Sequence, residues 1–380
     1  MRHNLALSAL LCIALVVKAQ AAPTVMEKRI KTDHYGISLV RLAEDLEQPW
    51  SVAFLPDGDM LVTEIGGRLL RISEDGEKTV ISGTPEVTDI GQGGLLDVVL
   101  HPDFKKNRLV YLTYSKGRKE DSNTATALAR AEFRDSKLRK LEDIFVQNKY
   151  SGPGRHYGSR LAFAKDGKLL MSIGDRGSVP LRAQDLRDHA GSVLRLNPDG
   201  SVPQDNPFVG LQNAAEEIYS YGHRNIQGMV VHPETGKIWA TEHGPRGGDE
   251  LNLVKPALNY GWPVISYGRH YGRNAPFGIN THKDGMEQPV LEWTPSPAVS
   301  GLAVVTSKYF PAWRGNLLVG ALAHKAIRRV VIDGTEVAEE EVLLKDRIGR
   351  IRDIRQGPDG YIYILTDQAR GGLYRLEPAQ

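Results

Sequence analysis

The sequence predicts an all-β fold, a six-bladed β-propeller with four-stranded antiparallel blades. Three observations support this prediction. A pair of short apolar segments around a turn rich in Pro, Asp and Gly recurs six times. The copies begin about 45 to 75 residues apart, which leaves room for about four strands in each. No long segment has apolar residues at the 3.6-residue spacing of a helix.

Each copy predicts a β-hairpin, because alternating apolar residues form half-buried strands and Pro or Gly presets the turn between them. The first copy runs from Val52 to Thr63, with its turn at Pro56-Asp57-Gly58. The fifth copy, from Leu302 to Val319, is divergent. The remaining copies span residues 98–112, 161–172, 229–240 and 354–365.

The segments between the repeats complete the predicted organisation. A solenoid is the competing architecture, but solenoid repeats are usually shorter and more regular. Residues 130–141 predict a strand, a charged turn and a second strand. Residues 176–226 and 244–300 are long insertions, which we expect to form loops over one face, where loops carry function. Residues 22–31 are expected to be a leader within a single domain that spans 22–380.

The first 21 residues predict a cleaved signal peptide. Arg2 and His3 precede an apolar run from Leu5 to Val17, and small residues follow at 19–22. The run is shorter than the about 20 residues that span a bilayer, so no membrane insertion is expected. We expect a periplasmic or secreted protein. The single cysteine, Cys12, leaves with this segment, so the mature chain can form neither a disulfide nor a thiolate metal site.

The mature chain is expected to be electrically neutral. Loss of Arg2 and Lys18 reduces the 48 basic residues to 46, against 46 acidic residues. A neutral protein has no global field that would hold nucleic acid or an anionic membrane. We therefore expect a small-molecule partner and a monomer or a homodimer.

Glycine and charged residues are concentrated in several segments beyond what turns require. These segments are 91–96, 154–160, 174–177, 222–228, 242–250 and 347–353. The inner strand of each propeller blade lines the central channel, so the segments are expected to converge there. Arg224, Arg350 and Arg352 would then face one space. Either rim acids such as Asp353 and Glu217 pair with them, or a bound polycarboxylate or phosphate compensates them.

The histidines do not predict a zinc site. His101 and His232 lie in turns of the repeat and are interpreted as structural. Four others are scattered without H-x-x-x-H or H-x-H spacing, namely His243, His270, His282 and His324. His156 has two interpretations, a structural residue of the channel or a catalytic base. Trp262, like most of the tryptophans, is interpreted as a packing residue.

Three sequence motifs occur together in a specific order. They are Gly222-His223-Arg224-Asn225-Ile226-Gln227-Gly228, Gly244-Pro245 with Asp249-Glu250, and Asn259-Tyr260-Gly261-Trp262-Pro263. With them the chain resembles the soluble quinoprotein glucose and aldose sugar dehydrogenases, from Pro49-Trp50 to Asp359-Gly360. The resemblance implies a six-bladed propeller that carries pyrroloquinoline quinone (PQQ) and calcium. It also implies oxidation of the C1 hydroxyl of an aldose to a lactone, with electrons passing to a small or respiratory acceptor.

The resemblance implies a catalytic pair. His156 matches the family's general base, which takes the proton of the anomeric hydroxyl as hydride passes to the quinone. Asp175 matches the carboxylate that fixes the tautomer of this histidine and stabilises its charged form. Gln92 matches a residue that holds the substrate or the edge of the cofactor.

The resemblance also implies a cradle for PQQ, which is a tricarboxylate. The polar residues of the cradle match Arg224, Asn225, Arg350 and Arg352, which would account for the excess of arginine. Trp293 matches an aromatic wall beside the cofactor, and Tyr271 is expected to lie against the cofactor as well.

Two calcium sites are implied in the same way. Gly244 and Pro245 would offer backbone carbonyls to an ion that also binds the quinone and polarises its reacting carbonyl. Glu250 and Tyr260 match part of a second, structural site. There Glu250 would supply a carboxylate and Tyr260 its backbone carbonyl.

The sequence departs from the family pattern in the fifth blade. Glucose-oxidising relatives have a lysine that contacts the cofactor after the Leu-Leu-Val strand. In this chain the direct match is Ala323, and Lys325 follows two positions later. Either Lys325 reaches the cofactor or the contact is missing.

Two other functions remain open. A calcium-dependent propeller lactonase or hydrolase would need several carboxylates and an Asn at the metal, whereas the channel candidates are mostly Arg, His, Gln and Asn. A non-enzymatic ligand-binding propeller would commonly carry additional Cys-rich domains, and this sequence contains none. The sequence therefore favours a PQQ- and calcium-dependent aldose sugar dehydrogenase.

Overall fold

The structure, a computed structural model, describes residues 23–379, so the predicted signal peptide lies outside the described residues. Residues 23–379 form six antiparallel sheets. The innermost strand of each sheet contacts the innermost strand of the next, and the sixth contacts the first, so the sheets close into a ring. The predicted six-bladed β-propeller is confirmed.

Blades 1 to 5 each take four consecutive strands of the chain. Blade 1 contains β3 (Pro49–Phe54), β4 (Met60–Glu64), β5 (Leu69–Ile72) and β6 (Lys78–Ile81). Blade 2 contains β7 (Leu95–Leu100), β8 (Leu109–Arg118), β9 (Asp121–Arg134) and β10 (Lys137–Val146). Blade 3 contains β11 (Leu161–Phe163), β12 (Leu169–Ile173), β13 (Ser192–Leu196) and β14 (Ile218–Tyr221).

Blades 4 and 5 follow the same order. Blade 4 contains β15 (Ile226–Val231), β16 (Ile238–Glu242), β17 (Asp249–Val254) and β18 (Leu291–Trp293). Blade 5 contains β19 (Val299–Val304), β20 (Leu317–Ala321), β21 (Ala326–Asp333) and β22 (Glu336–Leu343). Helix in the described part of the chain is limited to α1 (Phe104–Asn107) and two short 3-10 segments, Pro180–Gln184 and Pro311–Trp313. No helix within residues 23–379 is long and apolar enough to cross a membrane.

Blade 6 joins the two ends of the described chain. Its strands β23 (Ile351–Gln356), β24 (Ile362–Thr366) and β25 (Gly371–Pro378) are continued by β2 (Gly36–Leu46) and β1 (Thr24–Lys31). Pairing of Leu39 with Leu376 buries both residues in the core between blades 5 and 6. The segment expected to be a leader is therefore mostly a strand, because it can extend the exposed edge of this sheet.

The six repeated hairpins form the two innermost strands of the six blades, as their apolar alternation predicts. Residues 130–141 form the end of β9, a turn and the start of β10, as predicted. The expectation that 176–226 and 244–300 are only loops is wrong. These segments also contain the outer strands β13, β14, β17 and β18, which are too short to show a clear alternation.

Four charged side chains cross the centre of the ring. Arg160, directly before β11, binds Asp353 of β23 with Nη2–Oδ1 at 3.0 Å, and blades 3 and 6 lie opposite each other in the ring. Arg355 of β23 binds Asp97 of β7 at 2.9 Å and Asp353 at 3.0 Å. Asp97 and Asp353 are fully buried. These four residues, the central ion network, close the channel midway.

Every blade contacts the central ion network. Ser51 of blade 1 donates to Asp97, and the backbone carbonyl of Gln227 in blade 4 accepts from Arg160 Nε at 2.5 Å. In blade 5, a Cβ on Gly301 would lie 2.5 Å from Asp353 Oδ1, so only glycine fits there. Burying charges is costly unless they are paired and hydrogen-bonded. These contacts provide part of that compensation, since Arg160 Nη1 and Asp353 Oδ1 are left without a hydrogen bond.

We expect Asp97→Asn to lower the free energy of unfolding by about 3–5 kcal/mol, because Arg160 and Arg355 would retain one carboxylate between them. Urea denaturation followed by tryptophan fluorescence measures the change. Asp333→Asn alters an exposed carboxylate at the end of β21 and should shift stability by less than about 0.5 kcal/mol. Equal midpoints for the two variants would contradict the stabilising role of the network.

Candidate active site

The predicted site segments converge on one face of the propeller. The inner strand of each blade begins at this face and the second strand returns to it. His156 and Arg224 precede inner strands, and Asp175 and Gly244 follow second strands. Above the central ion network the channel widens into a cavity of about 310 Å³. Its polar lining consists of Gln48, Gln92, Asn225, Gln227, His243, Arg350, Arg352 and Asp367.

His156 and Asp175 form a hydrogen-bonded pair at this face. Nδ1 of His156 lies 2.6 Å from Oδ1 of Asp175. The histidine side chain is 13% exposed and the aspartate side chain 1%. Nε2 of His156 has no partner among residues 23–379, so it is free to contact a bound molecule. The predicted catalytic pair is thus assembled, with the carboxylate fixing the proton on Nδ1.

The protonation states of the pair follow from its surroundings. Burial lowers the pKa of His156 and outweighs the hydrogen bond to Asp175, which raises it. Burial acts to raise the pKa of Asp175, but hydrogen bonding to His156 and the charge of Arg224 lower it overall. At neutral pH the pair is therefore a neutral imidazole beside a carboxylate, which is the state a general base needs.

Trp262 and Gly177 fix the carboxylate of Asp175. The indole Nε1 of Trp262 donates to Oδ2 at 2.7 Å, and the backbone N–H of Gly177 donates to Oδ1 at 2.8 Å. Trp262 is buried, as predicted for a packing residue, but its indole also belongs to the site. No local pattern in the sequence indicates this contact, because 87 positions separate the two residues.

The loop of His156 is held by Gln92 and Arg176. Oε1 of Gln92 accepts from the backbone N–H of His156 at 2.8 Å. The guanidinium of Arg176 donates to the carbonyl of Arg155 at 2.9 Å and stacks over the ring of Tyr157 at 3.7 Å. Arg176 thereby contacts the residues on both sides of His156 and holds them in place. Its sequence position beside Asp175 was the only available signal for this role.

Arg224 is a buried cation without a carboxylate partner in the described part of the chain. It is 7% exposed, donates from Nη1 to the carbonyl of His243 at 3.0 Å, and lies over the ring of Trp262 at 5.1 Å. Its Nε has no hydrogen-bond partner. An unsatisfied buried donor of this kind indicates a place for an external acceptor.

Arg350 and Arg352 share one acid, Asp367. Arg350 binds it at 2.9 Å and Arg352 at 2.7 Å. The acids considered from the sequence are not their partners, because Asp353 binds Arg160 and Arg355, and Glu217 binds His189. The lining of this cavity therefore carries an excess of one positive charge, and Arg224 lies beside it in a smaller neighbouring cavity.

Asn225 completes the polar wall of the cavity. Its Oδ1 accepts from the backbone N–H of Gly158 at 3.2 Å and from Gln227 Nε2 at 3.3 Å. Its Nδ2 donates no hydrogen bond within residues 23–379. His243 also lines the cavity, and burial lowers its pKa to about 4, so it adds no charge there at neutral pH.

The residues predicted to bind calcium surround a second, small cavity. Its volume of about 20 Å³ is close to that of one water-sized body. Gly244, Pro245, Glu250 and Tyr260 all line it, together with Arg224 and Glu242. The carbonyl of Pro245 already accepts from the backbone N–H of Arg269 at 2.9 Å. The structure thus joins the residues of both predicted calcium sites around one space.

Carboxylates are crowded beside this small cavity. Asn252 Nδ2 bridges Glu242 Oε1 at 2.8 Å and Glu250 Oε2 at 3.0 Å. Burial and the neighbouring Glu242 raise the pKa of Glu250 well above its usual range. Among residues 23–379, no three His, Cys, Asp or Glu side chains form a metal-binding cluster. A cation here would rely on backbone carbonyls and on Glu250.

Three of the residues predicted to bind the cofactor line neither cavity. Trp293 is buried in the core between blades 4 and 5, and its Nε1 donates to Glu340 at 2.9 Å. Tyr271 is 67% exposed at the tip of the loop between β17 and β18. Lys325 is exposed in the turn between β20 and β21, while Leu322 takes the place at the cavity wall.

Comparison with known proteins gives consistent matches over almost the whole chain. The family model for glucose/sorbosone dehydrogenase matches residues 46–375. Aldose sugar dehydrogenase YliI of Escherichia coli is 42% identical over 342 residues, which cover 89% of this chain and 92% of that protein.

Two solved structures extend the comparison. The crystal structure of the soluble aldose sugar dehydrogenase from Escherichia coli, in the apo-form, has a TM-score of 0.87 at 41% identity and covers 90% of this chain and 99% of that chain. The PQQ-bound form of aldose sugar dehydrogenase from Streptomyces coelicolor has a TM-score of 0.75 at 26% identity, with the same coverage of 90% and 99%.

We expect Asp175→Asn to lower the pKa of His156 further, because the carboxylate is the group that raises it against the effect of burial. A ¹H–¹³C NMR titration of the histidine ring measures the shift, and the resonance missing in His156→Gln identifies the signal. Asp185→Asn removes a carboxylate from the same loop and should leave this pKa unchanged. A His156 pKa that rises in Asp175→Asn would contradict the assignment.

Proposed function

The chain belongs to the glucose/sorbosone dehydrogenase family, and on that basis we propose that it is a PQQ- and Ca²⁺-dependent aldose sugar dehydrogenase. In this proposal it oxidises the C1 hydroxyl of an aldose to a lactone. The observation that carries the proposal is the His156–Asp175 pair beside a cavity in which Arg350 and Arg352 share one carboxylate, an excess of one positive charge. An uncharged sugar does not require such an excess, whereas a polyanionic cofactor does.

The channel cavity fits PQQ in volume and in charge. Its volume of about 310 Å³ is within the range of small-molecule sites. Carboxylates of the cofactor would compensate Arg350 and Arg352 and would give the orphaned Nε of Arg224 an acceptor. Nδ2 of Asn225 offers a further donor. Ala323 is uncharged at the position where relatives have a lysine. These three arginines would therefore be the main positive charges that bind the cofactor.

The small cavity beside Arg224 fits a single calcium ion. Calcium binds oxygen ligands, including backbone carbonyls and carboxylates. Gly244, Pro245 and Tyr260 would supply carbonyls, and Glu250 would supply its carboxylate. A cation at this position would also relieve the repulsion between Glu242 and Glu250 that raises the pKa of Glu250.

His156 performs the proton chemistry in the proposed reaction. When bound, PQQ supplies the oxidant that accepts hydride from C1, with calcium as a Lewis acid. The neutral Nε2 of His156 takes the proton from the C1 hydroxyl, and Asp175 stabilises the imidazolium that results. Trp262 and Gly177 hold the carboxylate in place throughout, so little reorganisation is needed.

The lining of the cavity favours a dehydrogenase over the hydrolase alternative. A calcium-dependent hydrolase would need several carboxylates around the channel metal, but the channel cavity is lined by one acid, Asp367, which two arginines already bind. We propose export to the periplasm or the medium on the basis of the predicted signal peptide. The electrons would then pass to a small or respiratory acceptor outside the cytoplasm.

The purified apo-protein should oxidise glucose with a reporter dye only when PQQ and Ca²⁺ are added together, because the proposed reaction needs both the oxidant and the ion that holds it. Activity is measured with each addition alone and with both. No activity, and no change in the absorption of PQQ on mixing, would refute the proposed cofactor.

His156→Ala should lower kcat by about 10²–10⁴-fold, the usual contribution of a general base, while PQQ still binds. His232→Ala, a histidine in the turn between β15 and β16, is the matched control and should retain activity. In the parent, activity should fall as the pH drops through the His156 pKa, which lies below the ordinary value of about 6.5. Near-full activity of His156→Ala would show that another group is the base.

A further inference from the structure

Three exposed arginines border the active-site face on blade 4. Arg246 lies between β16 and β17, and Arg269 and Arg273 lie in the long loop between β17 and β18. Tyr271 and Ile279 of the same loop are 67% and 76% exposed. We refer to these five residues as the arginine patch. Arginine and tyrosine are enriched where proteins bind partners.

The charges of the arginine patch are uncompensated. Arg246 donates to the carbonyl of Tyr271 at 3.2 Å, Arg269 to the carbonyl of Asn274 at 3.0 Å, and Arg273 to His270 at 2.8 Å. None forms an ion pair with a carboxylate within residues 23–379. Residues 262–283 contain three cations and no Asp or Glu.

Most other surface arginines have acidic partners, whereas the exposed Arg108 and Arg155 form no ion pair within residues 23–379. Arg134 binds Glu132, Arg139 binds Asp135, and Arg314 binds Glu234. The mature chain is neutral as a whole, so the unpaired cations of the patch give this side of the active-site face a local positive field. Such a field raises the local concentration of anions and their rate of association.

A short chain of contacts connects the arginine patch to the catalytic pair. The ring of His270 lies 4.3 Å from that of Phe277, which stacks on Trp262 at 4.6 Å. Trp262 donates to Asp175. The backbone N–H of Arg269 also binds the carbonyl of Pro245 at 2.9 Å. The patch is therefore held next to the site of sugar oxidation.

We propose that the arginine patch is the docking surface for a small anionic one-electron acceptor. This inference rests on the proposed function. Oxidation of one C1 hydroxyl to a lactone releases two electrons and two protons, so two equivalents of such an acceptor are reduced in each turnover. The aldose itself is uncharged, and the cofactor carboxylates are assigned to Arg224, Arg350 and Arg352 inside the channel. An anionic acceptor is the remaining reactant that these external cations can attract.

The kinetic test compares two acceptors of opposite charge on the enzyme loaded with PQQ and Ca²⁺ and reduced by glucose. The variant Arg246→Gln/Arg269→Gln/Arg273→Gln should reoxidise about 10-fold more slowly with the anion ferricyanide at low ionic strength, and the difference should shrink as salt is added. The rate with the cation phenazine methosulfate should not fall. The control Arg134→Gln/Arg139→Gln/Arg314→Gln removes the same net charge and should behave as the parent with both acceptors.

The outcomes separate this inference from the proposed function. Turnover of glucose with phenazine methosulfate supports the proposed function, whatever the rate with ferricyanide is. Equal losses with ferricyanide in the two triple variants, or equal losses with both acceptors in the patch variant, would overturn the docking surface. A strongly acidic cytochrome c serves as a third acceptor. A patch-dependent rate with ferricyanide supports the small anion, and a patch-dependent rate with the cytochrome alone would replace it with a protein partner and so overturn the proposal.

A binding measurement on the apo-protein keeps the inference testable without activity. Ferrocyanide should shift the arginine Nε–H signals of the patch in ¹H–¹⁵N NMR spectra, and the shifts should disappear in the patch variant. Binding of anionic phosphatidylglycerol vesicles through the patch, with no response to ferrocyanide, would replace the acceptor with a membrane surface and so overturn the proposal.

Discussion

The ion pair between Arg160 and Asp353 is the interaction on which the rest of the channel depends. It joins blades 3 and 6 across the centre of the ring, and Arg355 and Asp97 extend it toward blade 2. Two buried ion pairs of this kind add little net stability, because desolvation offsets most of their attraction. Their main effect is geometric. Each buried charge requires its partner nearby, and this requirement fixes the positions of the inner strands. Arg160 also stacks on Trp50 at 4.1 Å, which lines the cavity above.

The central ion network divides the channel into two chemically different halves. Below it, Val52, Val98, Val230 and Leu302 line an apolar mouth of about 570 Å³. Above it, the cavity is polar, and its two arginines, Arg350 and Arg352, exceed its one acid, Asp367, by one positive charge. The network pairs two arginines with two aspartates and is neutral, so the imbalance is confined to the upper half. That confinement makes the upper half the place where an anionic molecule gains most from binding.

Two residues of the proposed site have a strained backbone. His156 and Arg176 both have positive φ, 53° and 63°, which residues other than glycine rarely adopt. Gln92 binds the backbone of His156, and the buried guanidinium of Arg176 binds that of Arg155, so neighbouring contacts hold these conformations. A base held in this way does not need to reorganise when a substrate arrives. The surrounding blades supply the stability that such a loop lacks.

The sequence by itself determined the six inner hairpins and the polar loops, because alternation and turn residues are local properties, whereas the pairing of His156 with Asp175 was expected from the resemblance to a family. It missed β13, β14, β17 and β18, which lie in segments interpreted as loops, and β1, which pairs with β2 at the outer edge of blade 6. Only the tertiary structure decided which groups meet. Asp367 rather than Asp353 or Glu217 binds the channel arginines, Trp262 reaches Asp175, and Lys325 and Trp293 lie outside the cavity wall. Such contacts join residues far apart in the chain, and closure of the ring brings them together, so no local pattern in the sequence encodes them.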